Sequence, residues 1–184
     1  MMKSEFSQRD DKEKAREKAL EEGVKRLNSR MRTEKELKIW LAEKGYDAEI
    51  INEVITRLKE PGYLNDEEYC RQYFFYSKKK GKADYRILME LEERGIPSAK
   101  GKEIFKEIRD QNKDENSWDG ENRELDDRKL AMEIGCKMKE HQLAASKEID
   151  EKFKAKVSRR LASLGYPSST IYYVVDFLGK TNEE

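Results

Sequence analysis

Apolar residues recur at helical spacing along most of this chain, and glycine or Pro-Gly interrupts them at regular intervals. The clearest stretch is Arg32–Tyr69. Thr33 followed by Glu36 forms a T-x-x-E capping box, in which hydroxyl and carboxylate satisfy two backbone N–H groups that a helix start leaves unpaired. Leu37, Trp40, Leu41 and Lys44 then fall along one side of a helix, and Gly45 ends it as a left-handed residue. Asp47 restarts the chain as an N-cap. Ile50, Ile51, Val54, Ile55 and Leu58 give the next helix a broad apolar face, which Pro61-Gly62 stops. Upstream, Ala15, Ala19, Leu20, Val24 and Leu27 predict a helix from about Lys12 to Ser29, with Gly23 carried at some cost in propensity. Residues 1–11 are polar and are expected to fray.

The pattern then returns. Tyr63–Glu68 opens a helix with Asn65 as its N-cap; its buried face is expected to include Tyr69, Tyr73 and Tyr76, with Cys70 and Phe74 beside them, and Gly81 ends it. A second helix carries Ile87 and Leu91 and closes at Gly95, and Pro97-Ser98 opens a third with Ile104, Phe105 and Ile108. Leu37-x3-Leu41-x3-Gly45-Tyr46 corresponds to Ile87-x3-Leu91-x3-Gly95-Ile96 and to Val157-x3-Leu161-x3-Gly165-Tyr166. Each block leads into another amphipathic helix, with Ile51, Val54 and Ile55, then Gly101, Ile104 and Phe105, then Ile171, Val174 and Val175. Such internal repeats mark an array of small supersecondary units. Gln111–Glu124 reads as a flexible acidic linker, with Trp118 in it as a staple or an interaction anchor. A helix from about Asp126 to Leu143 follows, with Leu130, Met132, Ile134 and Met138 available for packing, and the tail after Leu178 is expected to fray. The expected fold is all-α: an elongated right-handed or curved array of three tandem three-helix, helix-turn-helix-like modules. Their expected bounds are 12–61, 62–110 and 125–179, with a disordered start at 1–11, the linker at 111–124 and a frayed end at 180–184.

Composition supports thin cores rather than one large one. Of 184 residues only 36% are hydrophobic while 42% are charged, against about 45–50% and about 25% for ordinary globular domains. No alternating strand pattern stands out. The 39 basic and 39 acidic residues cancel, so any preference for an anionic partner has to come from local clustering. Cys70 and Cys136 lie far apart with no CxxC pair, which fits reduced thiols in a cytoplasmic protein. No segment approaches the ~20 apolar residues of a membrane span.

Enzymatic signatures are missing. The single histidine, His141, sits in a charged helix end without the partners a catalyst needs. Cys136 is poorly spaced to share a metal with it, and neither a P-loop nor a GxGxxG occurs. Neither a catalytic residue, a metal nor a cofactor is expected. Cations do cluster, however. Lys78, Lys79, Lys80 and Lys82 form a compact basic turn, with Arg86 one helical turn further on. Lys152, Lys154, Lys156, Arg159 and Arg160 crowd a helix start, and no acid follows until Asp176. Arg26, Arg30 and Arg32 form a weaker group. A solubilising surface explains any one such run. Recurrence near equivalent helix junctions points to a face that neutralises phosphates, if the units stack with consistent handedness. The tyrosines near residue 73 are read as core more readily than as base-stacking rings.

These residues also carry a family resemblance. Arg32-Thr33-x2-Glu36-Leu37-x3-Leu41-x2-Lys44-Gly45-Tyr46 resembles the first-repeat signature of the RecX family, regulators of the RecA recombinase. Gly62-Tyr63-Leu64-Asn65-Asp66-x2-Tyr69 resembles that family's turn into its second repeat, and Gly81-x4-Arg86-Ile87-x2-Glu90-Leu91-x3-Gly95-Ile96 its next motif. The likeness is strong over Arg32–Ile108 and weaker over Leu130–Leu178; Ala83-Asp84 stands where members often have Gly-Pro. It implies tandem three-helix modules that lie along the groove of the RecA filament on single-stranded DNA and inhibit ATP hydrolysis, strand exchange and co-protease activity. Neither a membrane nor a small-molecule substrate is expected as a partner. Two other readings remain open: a stand-alone DNA-binding helical repeat, and a protein–protein adaptor that never meets DNA.

Overall fold

The computed structural model describes residues 2–111, 123–145 and 148–180, with side chains described for 11–111, 127–145 and 148–180. The expected linker core, including Trp118, and the last four residues therefore lie outside the described residues. Within the described residues the chain is helical throughout, with no strand: α1 (Met2–Ser29), α2 (Glu34–Glu43), α3 (Ala48–Lys59), α4 (Asp66–Lys79), α5 (Asp84–Glu93), α6 (Ser98–Gln111), α7 (Arg123–Ala144), α8 (Glu151–Ser163) and α9 (Ser168–Lys180). The expected all-α fold is what the structure has.

Local chemistry accounts for most boundaries. The Thr33 hydroxyl accepts from the Glu36 N–H at 3.2 Å, and the Glu36 carboxylate accepts from the Thr33 N–H at 3.4 Å, so the capping box starts α2. Asn65 Oδ1 accepts from the N–H groups of Glu67 and Glu68, both at 3.0 Å, and starts α4. Asp150 does the same for Phe153 at 2.8 Å ahead of α8. Asp47 has the extended backbone of an N-cap but no side-chain bond, so its part in starting α3 is conformational only. Three helices outrun expectation. α7 begins at Arg123, inside the expected linker, rather than near Asp126. α1 begins at Met2 rather than near Lys12, because its first turns hold neither Gly nor Pro and are rich in good helix formers. α9 continues past Leu178 to Lys180.

Packing divides the chain into two compact units: Met1–Gln72 with Leu91–Ile104, and Tyr73–Glu90 with Phe105–Glu184. The division passes through α4, α5 and α6, so the middle repeat contributes to both units. In unit 1 the core joins Ala19 of α1, Leu37 and Leu41 of α2 and the whole apolar face of α3. In unit 2 it joins Ala131 of α7, Phe153, Val157 and Leu161 of α8, and Val174 and Leu178 of α9. Each such aliphatic or aromatic side chain, taken fully out of water, contributes about 1.5–3 kcal/mol. Gly23 is more than a tolerated helix breaker. A Cβ there would stand 3.1 Å from Leu58 and 3.7 Å from Val54, so its bare Cα lets α1 close on α3. Gly135 repeats this in unit 2, against Val174 and Leu178, the corresponding pair of α9.

One expectation fails in α4. Its buried face is Cys70, Phe74 and Ser77, not the tyrosines; Tyr69 and Tyr73 are half-buried and Tyr76 is exposed. The Phe74 ring packs on Phe105 with centroids 4.4 Å apart. Phe74 takes the inward position, and the neighbouring rings are turned aside by helix geometry.

A joint between repeats occurs twice, once inside each unit. In unit 1 the α5–α6 turn docks on the start of α2: the Thr33 hydroxyl donates to the Arg94 carbonyl at 2.7 Å, and Lys35 Nζ donates to the Glu93 carbonyl at 3.0 Å. In unit 2 the α8–α9 turn docks on the start of α5: the Ala83 N–H donates to the Leu164 carbonyl, and the Tyr166 hydroxyl donates to the Gly81 carbonyl, each at 2.9 Å. Thr33 and Ala83 hold the same place in the repeat, as do Arg94 and Leu164. The turn glycines, Gly95 (φ +93°) and Gly165 (φ +88°), lie against Lys35 and Arg86 so closely that a Cβ would come within 2.6 Å and 2.4 Å of their Cβ atoms.

Candidate nucleic-acid interface

The joint in unit 2 gathers two of the three basic groups. α4 ends there at Lys79, followed by Lys80; Arg86 in the first turn of α5 lies against Gly165; and Arg160, preceded by Arg159, is in the last turn of α8, just before the docked Leu164–Gly165 turn. Lys79, Lys80, Arg159 and Arg160 are all exposed, and Lys80 Nζ lies 5.6 Å from the Tyr76 ring centroid. Further up α8, Lys156 and Lys152 are exposed about one and two turns before Arg160, while Phe153, Val157 and Leu161 face the core. Lys154 is half-buried and pairs with Glu151 at 2.8 Å.

Other predicted cations are already engaged. Lys78 sits 2.8 Å from Asp84 and 2.7 Å from Asp127, largely out of water. Burial disfavours its ammonium, but the two carboxylates outweigh that and hold its pKa above the ordinary value. Burial likewise opposes the charged form of Asp84, yet Lys78 and Arg109 hold it below the usual carboxylate range. Asp127 goes the other way: burial and the Asp84 charge raise it, and Lys78 only partly offsets them. This cluster ties α4, α5, α6 and α7 together, so Lys78 serves the fold. Lys82 and Arg86 converge on Glu90, at 2.6 Å and 3.0 Å, and the Tyr73 hydroxyl donates to the same carboxylate at 2.6 Å. Burial pushes Glu90 up, but hydrogen bonds from Lys82 and Tyr73 bring it below its ordinary value. Lys82 is thus half-spent, whereas Arg86 keeps about half its side chain exposed.

In unit 1 the weaker group is dispersed. Arg26 lies over the Trp40 ring, 5.2 Å from its centroid, with Lys44 at 5.4 Å. Trp40 itself is half-buried against the module core. Arg32 is largely buried 4.0 Å from Glu36, its pKa lowered by burial and by Arg26 and Arg30. Arg30 is exposed.

The sequence reading missed Glu90, Asp84 and Asp127, the carboxylates that decide which cations stay free. A signal for Glu90 existed: it takes the position of Trp40 and sits four residues after Arg86. Asp127 had none, since its partners come from other helices. Cys70 and Cys136 are free thiols; burial pushes Cys70 up to about 11, which makes it inert. Among the described residues no cluster of His, Cys, Asp or Glu has the makings of a metal site, and no helix is long and apolar enough to cross a membrane.

Short helices joined through glycine turns, with the same joint made twice, define a helical repeat protein. Residues 15–58 match the first three-helix domain of RecX. Curated relatives carry the name regulatory protein RecX. That of Deinococcus radiodurans is 34% identical over 85 residues, covering 46% of this chain and 40% of the relative. That of Bacillus velezensis is 39% identical over 80 residues, covering 43% and 30%. That of Listeria welshimeri is 28% identical over 152 residues, covering 82% and 50%. The chain therefore spans half or less of the length of these relatives. Two solved structures share the fold: RecX from Lactobacillus salivarius, with a TM-score of 0.65 at 16% identity over 89% of this chain and 96% of that one, and a regulatory protein RecX, with 0.62 at 17% over 88% and 71%. The resemblance to the RecX regulators read from the sequence is borne out.

Proposed function

We propose that this chain is a RecX-type regulator that binds the filament RecA forms on single-stranded DNA and restrains its ATP hydrolysis, strand exchange and co-protease activity. The observation that carries this reading is the basic corner of unit 2. There Lys79, Lys80, Arg159 and Arg160 stand exposed near one module joint, while the Lys82–Glu90 and Lys78–Asp84 pairs tie the end of α4 to α5. Exposed cations on a rigid joint suit phosphate or an acidic recombinase surface, and several such contacts along a filament add through multivalency. The repeats at 12–61, 62–110 and 125–179 are the proposed binding modules, and the cytoplasm the proposed setting.

The test is DNA-dependent ATP hydrolysis by RecA on single-stranded DNA, titrated with the chain. Hydrolysis is expected to fall at sub-stoichiometric to stoichiometric ratios. Unchanged hydrolysis under excess protein at low salt removes the proposal. The variant of choice reverses Lys79, Lys80, Arg159 and Arg160 to Glu. Arg86 is left alone, because Glu at that position would face Glu90 and confuse lost binding with lost stability.

A further inference from the structure

The third helix of each repeat has the same solvent-facing positions, and only α9 fills them with rings. Tyr172, Tyr173 and Phe177 correspond to Asn52, Glu53 and Arg57 in α3 and to Lys102, Glu103 and Glu107 in α6. α3 and α6 keep these positions polar, so the fold does not require aromatics there. In α9 they are 75%, 50% and 42% exposed, while Thr170, Val174 and Leu178 supply its buried side. Three large rings this exposed on the outer side of one helix, in a chain this polar, suit a ligand with flat apolar faces.

Charge says which. From Glu34 to Lys59 the second and third helices of the first repeat hold five cations and six carboxylates. From Asp84 to Gln111 the middle repeat holds six and seven. From Glu151 to Lys180 the last repeat holds six and two. A neutral chain has thus placed a cation surplus on the same helix pair that carries the rings. Cations of α7 and α8 border α9. The Arg128 guanidinium lies over the Tyr173 ring, 5.7 Å from its centroid. Lys154 Nζ, which also pairs with Glu151, reaches the C-terminal end of α9, within 3.5 Å of where a Cβ on Gly179 would stand. The one carboxylate of α9, Asp176, is tied to Lys180 at 2.7 Å.

We infer that the outer face of α9 is a stacking platform for unpaired nucleobases, with cations of α7 and α8 beside it for the backbone phosphates; its ligand is single-stranded nucleic acid. Rings accept any base by its π-face, and cations follow the strand without reading sequence. Duplex bases are already stacked and offer no such face. The inference rests on the proposed regulatory role for its setting and on α9 for its chemistry.

The experiment is fluorescence anisotropy of a labelled oligothymidylate with the full chain and no recombinase, in low salt, with an equal-length duplex as comparison. The wild type is expected to bind the single strand in preference to the duplex. Y172A/Y173A/F177A should weaken single-strand binding by at least about tenfold. Y172F/Y173F should bind as the wild type does, since it keeps the rings. Unchanged circular dichroism and melting of the alanine variant would confirm that only the surface has changed. Absence of wild-type binding overturns the inference, and so does unchanged affinity of the alanine variant. If that variant keeps its oligonucleotide affinity but loses inhibition of RecA, the face contacts protein and the inference falls while the regulatory reading stands. If the wild type binds the strand through α9 but leaves RecA hydrolysis untouched, the regulatory reading falls and the inference stands.

Discussion

Gly45 and Gly165 share a backbone φ of +88° but differ in their surroundings. Nothing lies within 4 Å of the place a Cβ would take on Gly45, whereas on Gly165 it would meet the Arg86 Cβ at 2.4 Å and backbone N at 3.2 Å. Asparagine tolerates the left-handed region. Gly45→Asn is therefore expected to cost about 1 kcal/mol or less, and Gly165→Asn about 1–3 kcal/mol more, read from urea midpoints at constant slope. Equal costs would mean that the joint is looser than its geometry. Thr33 does two jobs, capping α2 and bonding Arg94. Thr33→Ala is expected to lose the cap, about 0.5–2 kcal/mol, and the hydrogen bond, about 1 kcal/mol, while Thr33→Ser keeps most of both. Glu90 gives a pH signature. Its folded pKa lies below the ordinary 4.5, so it stabilises the fold above that value and ceases to do so as pH falls through the lowered one. Melting temperatures followed downward from pH 6 should drop more steeply below about 4.5 for the wild type than for Glu90→Gln. Parallel curves would remove Glu90 from the acid limb.

At the level of helices, neighbouring lysines at the end of α4 have opposite duties. Lys78→Ala leaves Asp84 and Asp127 facing each other in a mostly dry site and is expected to cost about 3–5 kcal/mol. Lys79→Ala, on the exposed side, should stay within about 0.5 kcal/mol. Thermal unfolding of both separates the structural cation from the candidate binding cation. The sequence placed these residues in one run because charge alone does not say which way a helix faces. Where a local rule settles the outcome, the chain was legible. The Thr33 and Asn65 caps, the glycine turns and the apolar faces of α3, α8 and α9 follow from spacing and hydrogen-bond chemistry within a few residues. Where the answer depends on a partner far along the chain, it was not. Gly23 needed Leu58, the α4 tyrosines lost the inward position to Phe74, and Lys78 was claimed by Asp127. The candidate site was legible as cation clusters, but not as a joint between α4–α5 and α8–α9. Its aromatic extension on α9 required knowing which side of that helix meets water.

For the molecule as a whole, a net charge of zero hides a strong local bias. Single-strand binding by the α8–α9 pair is expected to weaken linearly in log–log terms as salt rises, with each neutralised phosphate adding to the slope. A flat salt response would argue for contacts without phosphates. The paired joints carry a consequence for how such a chain changes length. The middle repeat both receives a turn, at Ala83–Arg86, and offers one, at Arg94–Gly95. A second copy of residues 62–110 spliced in behind the first would dock its own turn on the first copy's Ala83–Arg86 and offer the same acceptor to the last repeat. The chain would then grow by whole repeats, through duplication of a coding segment, with no new core to invent.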